Sequence, residues 1–304
     1  MLIRDRIKTE TLTSIEEKIV EYLQNNIEDL QKISTRTIAA NTYCSTSAVV
    51  RLANRLGYSG YQELREAWIR ERDYLAASRT ETDFNLPFSK EDSIMQTVSS
   101  IESVQKAAVE DTALLLRQEE LKKIAECLNA SEHILVLGFG AYVPLAQVFQ
   151  QKMSRIHKHV IVQHHVGEEN YQLDLLTKKD CAVLISYSGE NEVLIRAARL
   201  IQKKRIPIIA LTSLGNNTLS GLADWTVRIS SREKLFSKIG NFASEESVQF
   251  ILNVFYSLCF RNDYDKNLSY KIRHAREVEI DHYSTNQMIS EKEDQQGEKN
   301  EDLQ

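Results

Sequence analysis

Two short segments in the second half of the chain combine glycine with hydroxyl and amide side chains. They read GFGAY at 138–142 and SYSGEN at 186–191. Small residues let an anion approach backbone N–H groups, and serine hydroxyls add further donors. Such chemistry holds a phosphate rather than breaking a bond. The candidate ligand-binding residues in these segments are Gly138, Gly140, Tyr142, Ser186, Ser188, Gly189 and Asn191.

Glu245 is a candidate for a different chemistry, proton transfer. An enzyme that moves a proton beside a carbonyl needs a base, and glutamate often supplies it. Glu245 and Glu246 also open a helical pattern after Ser244, where the helix dipole alone favours an acid in the first turn. The helix start is the preferred interpretation. Glu245 is therefore kept as a candidate ligand contact, and no catalytic residue is predicted.

A dinucleotide site and a metal site are both disfavoured by the residues present. The GxGxxG fingerprint would need glycine at 143, where the chain has Val143, and QHH at 163–165 replaces the acid expected after the second strand. Four histidines lie close in sequence, at 157, 159, 164 and 165. Adjacent strand residues point to opposite faces, and no cysteine or acid completes a ligand spacing. We expect no cofactor and no metal.

The segments 138–142 and 186–191 each follow a short apolar run. Such runs predict strands over 133–139, 160–163, 181–186, 207–212 and 225–229, separated by helical stretches. Buried strands that alternate with helices indicate a parallel sheet covered on both faces. Right-handed crossovers place the carboxyl ends of the strands at one edge, where small ligands bind. The predicted fold class of this half is a three-layer α/β domain with both segments at that edge.

The first 75 residues are helical with short breaks. Ser34 or Thr35 can cap a short helix, and Ser45 can cap a second one over 46–56 that Gly57 ends. Two short helices joined by a tight turn, the second beginning with small polar residues, are typical of an all-α helix-turn-helix that reads DNA. The candidate DNA contacts are Arg36, Ser45, Thr46, Ser47, Arg51, Asn54 and Arg55.

Charge is distributed unevenly along the 304 residues. The whole chain has 38 basic against 43 acidic residues, a net charge of −5, yet residues 31–65 contain five basic residues and one acidic residue. A basic patch is the electrostatic footprint of nucleic-acid binding. No apolar run approaches the roughly 20 residues that span a bilayer, and the first residues lack the apolar core of a secretory signal. Four isolated cysteines indicate free thiols. We expect a cytoplasmic protein with no membrane partner.

Two stretches of the chain resemble known families. STRTIAANTYCSTSAVVRLANRLGYSGYQELREAW resembles the N-terminal domain of RpiR/MurR-type transcriptional regulators, a likeness that covers residues 1–76. The runs ISYSGENEVLIRAARL, IPIIALTS and LADW resemble the sugar-isomerase (SIS) domain, which is flavodoxin-like in fold, over residues 105–265. The two domains in this order resemble the architecture of the RpiR/MurR regulators.

The resemblance implies roles for individual residues. Ser186, Ser188 and Gly189 fall on positions that hold the phosphate of a phosphorylated sugar. Two positions depart from the family pattern, because Tyr142 stands where serine is usual and Asn191 where threonine is frequent. Asparagine can still form hydrogen bonds, whereas Tyr142 crowds a phosphate unless its ring turns away.

The expected protein is a DNA-binding transcriptional regulator of carbohydrate metabolism whose SIS domain senses a phosphorylated sugar. Its expected partners are double-stranded DNA with a palindromic operator, the sugar phosphate and further copies of itself in a homodimer or homotetramer. Two alternatives stay open. One is a sugar-phosphate isomerase with an accessory helical domain, and the other is a ligand-independent regulator whose degenerate SIS domain serves dimerisation.

The same patterns give the expected domain boundaries. The DNA-binding domain covers 1–76, and a linker with a connecting helix covers 77–104, including TETDFNLPFSK at 80–90. The SIS domain covers 105–265. A C-terminal helix and an acidic tail cover 266–304, and the polar composition from Ser284 onward predicts disorder.

Overall fold

A computed structural model of the chain describes residues 3–77, 82–162, 173–278 and 288. Positions 80–81 of the predicted linker, the segment QHH at 163–165 and, apart from Met288, the predicted tail lie outside the described residues. None of the described helices is long and apolar enough to cross a membrane.

The helical domain, residues 3–77, has the predicted helix-turn-helix arrangement. Its elements are α1 (Ile3–Thr9), α2 (Ser14–Asn25), a 3₁₀ helix (Ile27–Lys32), α3 (Thr35–Thr42), α4 (Thr46–Arg55) and α5 (Tyr61–Ala77). The side chains of Ser34 and Ser45 cap α3 and α4 by accepting hydrogen bonds from backbone N–H groups three residues later. Tyr43 makes the turn between these two helices in the left-handed conformation, with φ of 52°.

The apolar face of α4 determines which of its residues meet solvent. Val49, Leu52 and Ala53 recur at helical spacing and are completely buried. They belong to one core cluster with Ile19 of α2 and Trp68 of α5. Because this face turns inward, the polar residues on the opposite side of α4 are held at the surface.

The sheet domain, residues 94–262, alternates strands and helices as predicted. Two helices, α6 (Ile94–Leu115) and α7 (Gln118–Ala130), lead into β1 (His133–Leu137), α8 (Tyr142–Ser154), β2 (His159–Val162), β3 (Cys181–Ile185), α9 (Glu192–Lys203), β4 (Ile208–Ser213), α10 (Thr218–Leu222), β5 (Trp225–Ile229) and α11 (Phe242–Asn262). The strands begin and end within two residues of their predicted bounds. A further helix, α12 (Tyr264–Val278), belongs to a separate compact unit that begins at Asp263.

Within the described residues the five strands form one parallel sheet in the order β2-β1-β3-β4-β5. This is the flavodoxin-like order, in which the direction of winding switches between β1 and β3. A ligand site is expected outside the carboxyl ends of those two strands. The segments 138–142 and 186–191 follow β1 and β3, so the topology places them side by side at the switch point.

Helices cover both faces of the sheet, which gives the predicted three layers. Val136 and Val183 point to one face and pack with Phe149 of α8 and Phe255 of α11. The neighbouring strand residues point to the other face and pack with α9, among them Ile201. Because both faces are covered, the strands are continuously apolar.

The helical domain packs against the sheet domain through polar contacts. Arg117 Nη2 lies 2.8 Å from Glu66 Oε2, which joins α5 to the connection between α6 and α7. Asn216, in the loop after β4, donates a hydrogen bond from Nδ2 to the Gly57 carbonyl at 3.2 Å. The residue that ends α4 is therefore tied to the edge of the sheet that carries the two glycine- and hydroxyl-containing segments.

Asp180 holds the start of β3 against the start of β1. Its buried carboxylate accepts hydrogen bonds from the backbone N–H groups of His133 at 2.9 Å and Thr177 at 2.7 Å. Burial raises the pKa of Asp180, but these hydrogen bonds, with those of the Thr177 hydroxyl and the His133 ring, outweigh it and leave the pKa below its ordinary value.

Replacing Asp180 by Ala is expected to lower the free energy of unfolding by about 2–3 kcal/mol at neutral pH, because two partly buried N–H groups lose a charged acceptor. A carboxyl whose pKa is lowered on folding stabilises above its unfolded pKa of roughly 3.9, and this contribution is lost as the pH falls through the folded value. The free energies of unfolding of the native chain and the variant, measured in urea, should therefore become more similar below about pH 4. Asp174→Ala, at an exposed ion pair with Lys204, is the matched control and should change stability by less than about 0.5 kcal/mol. An equal loss in both variants would contradict this role of Asp180.

Candidate ligand pocket and nucleic-acid surface

A cavity of about 220 Å³ opens at the switch point of the sheet, between the ends of β1 and β3. It contains four of the predicted ligand residues, namely Tyr142, Ser186, Ser188 and Asn191. Gly138, Gly140 and Gly189 shape the loops around it, and Glu245 is not among the described residues that line it. The other lining residues are Phe139, Ile185, Tyr187, Leu194, Leu235, Lys238 and Asn241.

The serine loop, residues 186–191, is folded back on its own side chains. The Ser186 hydroxyl accepts a hydrogen bond from the Gly189 N–H at 3.2 Å, and the Ser188 hydroxyl accepts one from the Glu190 N–H at 3.2 Å. A hydroxyl that accepts still has its own proton to donate. Both serines are therefore oriented by the loop and can donate to an oxyanion in the cavity.

Gly189 lets the serine loop lie directly on the loop after β4. Its φ is +69°, and a Cβ at this position would lie only 2.1 Å from Asn217 Cγ. Asn217 is itself fixed, because its Nδ2 donates to Thr212 Oγ1 at 2.8 Å. Both the backbone conformation and the close approach require glycine here.

Gly138 allows α8 to begin close to the end of β1. A Cβ on Gly138 would lie 2.9 Å from the Cβ of Tyr142, so a larger residue at 138 would displace the first turn of the helix. Gly140 lies between them in the turn before α8. The first loop therefore shapes the cavity through its backbone, while Tyr142 lines it with a side chain.

The side chain of Tyr142 lines the cavity and lies near the start of α11. Its hydroxyl lies close enough to Ser244, Glu233 and Glu245 to be affected by them electrostatically. Burial raises the pKa of Tyr142 to about 12, so the phenol stays neutral across the physiological range.

Asn191 and Glu245 both stabilise the starts of helices. Asn191 Oδ1 accepts from the Leu194 N–H at 3.1 Å and caps α9, which leaves its NH₂ group to face a ligand. Glu245 lies half-buried in the first turn of α11. Its position agrees with the interpretation of this residue as part of a helix start.

Lys238 is a cavity residue that sequence reasoning missed. It lies between β5 and α11, and its side chain is only 11% exposed. Lys238 Nζ lies 2.9 Å from Glu233 Oε2 and 5.2 Å from the centre of the Tyr187 ring. The rule that ligands bind at the carboxyl ends of parallel strands would have found it, because the segment after β5 begins at the same edge as the serine loop.

Glu233 fixes the segment that carries Lys238. Its buried carboxylate accepts from the Ala243 N–H at 2.6 Å and from the Ser244 hydroxyl at 2.7 Å, at the start of α11. Its carbonyl accepts from the Tyr187 hydroxyl at 2.7 Å. Among the described residues that line the cavity, Lys238 is the one charged side chain. A lining of hydroxyls, amides and one ammonium group favours an anionic ligand that also offers hydroxyl groups.

The second candidate surface is the outer side of the helix-turn-helix. All seven predicted DNA contacts are exposed, namely Arg36, Ser45, Thr46, Ser47, Arg51, Asn54 and Arg55. Ser45 and Ser47 share a hydrogen bond of 2.7 Å at the start of α4. Tyr43, in the turn before α4, is 97% exposed and was missed by the sequence prediction, which considered only small and basic residues there.

The arginines of α4 differ in what they contact. Arg55 Nε lies 3.3 Å from Glu16 Oε1, and its Nη1 donates to the Thr11 carbonyl at 2.8 Å, so this guanidinium is directed at the start of α2. Neither Arg36 nor Arg51 forms an ion pair with any residue that the structure describes. Arg51 is therefore the α4 arginine best placed to reach a phosphate or a guanine edge.

Family models match both parts of the chain. Residues 2–73 match the helix-turn-helix domain of the rpiR family, and residues 127–258 match the SIS domain. Helix α4 lies within the range that matches the rpiR-family domain, and the residues that line the serine-loop cavity lie within the range that matches the SIS domain.

Solved structures have the same fold. The Vibrio vulnificus NanR protein, complexed with ManNAc-6P, is 22% identical and has a TM-score of 0.57, over 93% of this chain and 98% of that one. The sugar isomerase domain of an RpiR transcription factor from Sphaerobacter thermophilus is 15% identical with a TM-score of 0.54, over 60% of this chain and 99% of that one. A candidate sugar-phosphate isomerase from Listeria monocytogenes is 18% identical with a TM-score of 0.53, over 62% of this chain and 99% of that one.

Replacing Gly189 by Ala is expected to destabilise the chain by about 1–3 kcal/mol, because alanine must adopt a left-handed backbone and displace Asn217. Urea unfolding of the purified variant measures this. Gly221→Ala is the matched control, since a Cβ there would meet nothing within 4 Å and the residue lies within α10. Equal unfolding midpoints for Gly189→Ala and Gly221→Ala would show that the contact between the two loops is unimportant.

Proposed function

We propose that this chain, which belongs to the RpiR-type regulators by its rpiR-family helix-turn-helix domain and its SIS domain, is a DNA-binding transcriptional regulator that senses a phosphorylated sugar. A regulator works where the DNA is, so the proposal includes a cytoplasmic location. The observation that carries it is the joint presence of an exposed recognition helix and an anion-favouring cavity in one chain.

The cavity supports a small phosphorylated sugar as effector. Its volume of about 220 Å³ lies below the roughly 300–1,000 Å³ of sites for drug-sized ligands, so a compact metabolite fits it best. Ser186, Ser188 and Lys238 would hold the phosphate by charge-assisted hydrogen bonds, and Asn191 and Asn241 would contact the sugar. Because NanR of similar fold is complexed with ManNAc-6P, phosphorylated amino sugars belong to the class proposed.

The route from the cavity to the recognition helix is short. The serine loop rests on Asn217 through Gly189, and the neighbouring Asn216 donates to the carbonyl of Gly57 at the end of α4. Glu190 adds a second link, because its Oε1 accepts from the Thr218 N–H at 2.8 Å. A ligand that prefers one position of the serine loop thereby biases the position of the helical domain, provided that it binds the two states unequally.

Assembly into a homodimer or homotetramer is part of the proposal. A single recognition helix reads few base pairs, and two helices related by a two-fold axis read a palindromic operator with greater combined affinity. A displacement of the two helical domains relative to each other then changes the distance between their recognition helices, which must equal the distance between the two half-sites of the operator. This gives the effector a physical means of altering DNA affinity.

The residues of the cavity favour a sensor over an isomerase. Moving a proton beside a carbonyl needs a base within hydrogen-bond reach of the substrate. None of the described lining residues is a carboxylate, and Glu245 lies outside the lining. We therefore propose binding without turnover.

Replacing Arg51 by Ala is expected to weaken DNA binding about 10-fold or more, because a direct contact to a phosphate or guanine is lost. Fluorescence anisotropy with a DNA fragment selected by the native chain measures the affinity and its salt dependence. Arg196→Ala, which removes an exposed arginine of α9, is the matched control for net charge and should leave the affinity unchanged. Unchanged binding by Arg51→Ala would contradict the docking of α4 on DNA.

Replacing Ser188 by Ala is expected to remove the thermal stabilisation that a sugar phosphate gives the native chain. A ligand at 100 times its Kd adds about 2.7 kcal/mol, which a thermal unfolding scan resolves easily. Ser154→Ala, at an exposed serine on α8, is the control and should keep the full response. A full response in Ser188→Ala would place the ligand elsewhere, and DNA binding should persist in both variants.

A further inference from the structure

A second and larger cavity, of about 660 Å³, lies between the helical domain and the sheet domain. Both domains contribute its walls, and most of the lining residues are polar or charged. It shares no described lining residue with the serine-loop cavity, although Glu190 of the serine loop and Asn217, which lies against Gly189, both line it. The proposed function does not use this space.

Arginines from three elements converge on this cavity. Arg6 comes from α1, Arg70 from α5 and Arg228 from β5. All three line the same cavity and act electrostatically on the hydroxyl of buried Tyr58. Burial lowers the pKa of Arg228 to about 10, and the charge of Arg70 contributes to that decrease. The fold therefore holds Arg70 and Arg228 near each other although they repel, and although Arg228 loses hydration by burial.

These arginines form few direct hydrogen bonds with the protein, although Glu66 and Glu120 act electrostatically on Arg70, and Glu120 also acts on Arg228. Arg228 Nη1 donates to the Ser213 carbonyl at 2.8 Å, which is an uncharged acceptor. Arg6 and Arg70 form no hydrogen bond or ion pair through their side chains with any residue that the structure describes. The Arg6 guanidinium lies against Gly57, at the end of α4.

Five carboxylates also line the cavity, and the first of them, Glu63, accepts from the Ser59 N–H at 2.7 Å. Glu66 pairs with Arg117 at 2.8 Å. Glu120 accepts from the Thr226 N–H at 3.0 Å, and Asp224 accepts from the Ile208 N–H at 2.8 Å. Glu190 likewise accepts from a backbone N–H of α10. The acids keep their charge, but their oxygens are used by the walls of the cavity and by Arg117, so the N–H donors of Arg6 and Arg70 remain for a bound group.

We propose that Arg6, Arg70 and Arg228 form a second anion site, which binds a small phosphate-class anion between the two domains. Guanidinium groups present paired N–H donors that match the oxygens of a phosphate. Arg6 and Arg70 of the helical domain repel Arg228 of the sheet domain. An anion bound between them attracts the arginines of both domains and offsets this repulsion. The site thereby stabilises the docked position of the helical domain, independently of the ligand at the serine loop.

The test is calorimetric and thermal titration of the full chain with inorganic phosphate, in a Ser188→Ala background that weakens the first cavity. Phosphate should still bind and raise the unfolding temperature. Adding Arg70→Gln should lower its affinity by at least about tenfold, because a charged donor is removed. Without phosphate, Arg70→Gln should unfold at a temperature no lower than its parent, because like-charge repulsion is relieved.

Two further arms identify the source of the anion and the specificity of the effect. Repeating the titration with glucose 6-phosphate shows whether the site prefers a phosphate monoester or the free phosphate ion. Binding of either anion that Arg70→Gln weakens supports the proposal. Arg199→Gln removes an exposed arginine of α9 and should leave phosphate binding unchanged. Failure of both anions to bind, or equal binding with and without Arg70, overturns the proposal. Neither result bears on the sugar-phosphate response of the native serine loop, which is measured separately.

Discussion

The close approach of Gly189 to Asn217 is the contact on which the account of this molecule depends. It brings the serine loop onto the loop after β4 with no space for a side chain between them. The same β4 loop holds the end of α4 through Asn216 and the Gly57 carbonyl. A movement of the serine loop therefore cannot occur without a response from the β4 loop. This contact, together with the hydrogen bond from the Thr218 N–H to Glu190, links the serine-loop cavity to the end of α4.

The contacts between the two domains are weak enough for a ligand to shift them. The ion pair of Arg117 with Glu66 is close to half exposed on both sides, and such pairs contribute about 0–1 kcal/mol. Arg70 and Arg228 repel each other across the same interface. Coupling free energies in regulators are typically about 1–3 kcal/mol, which is of the same size as these terms. Small differential binding energies are thus sufficient to redistribute the positions of the helical domain.

The sequence was informative wherever local periodicity or topology decides the structure. The inward stripe of α4 predicted its exposed face, and the rule for parallel sheets placed the serine loop at the edge formed by the carboxyl ends of the strands, whereas the switch point there became visible only from the strand order. Lys238 was missed because the segment after β5 has no periodicity. The partner of Arg55 is Glu16, a residue of another helix that only the folded chain brings near. The cavity between the domains was not predicted for the same reason, since its arginines come from α1, α5 and β5.

The most direct test of the central claim is the reciprocal linkage between the two ligands. The Kd of the best-binding sugar phosphate is measured by calorimetry on the free chain and on the chain saturated with its selected DNA, and the Kd of the DNA is measured with and without that sugar. The account predicts that both affinities change by the same factor, of about 5–150-fold. A factor of one in both directions, with each ligand bound normally, would contradict the account.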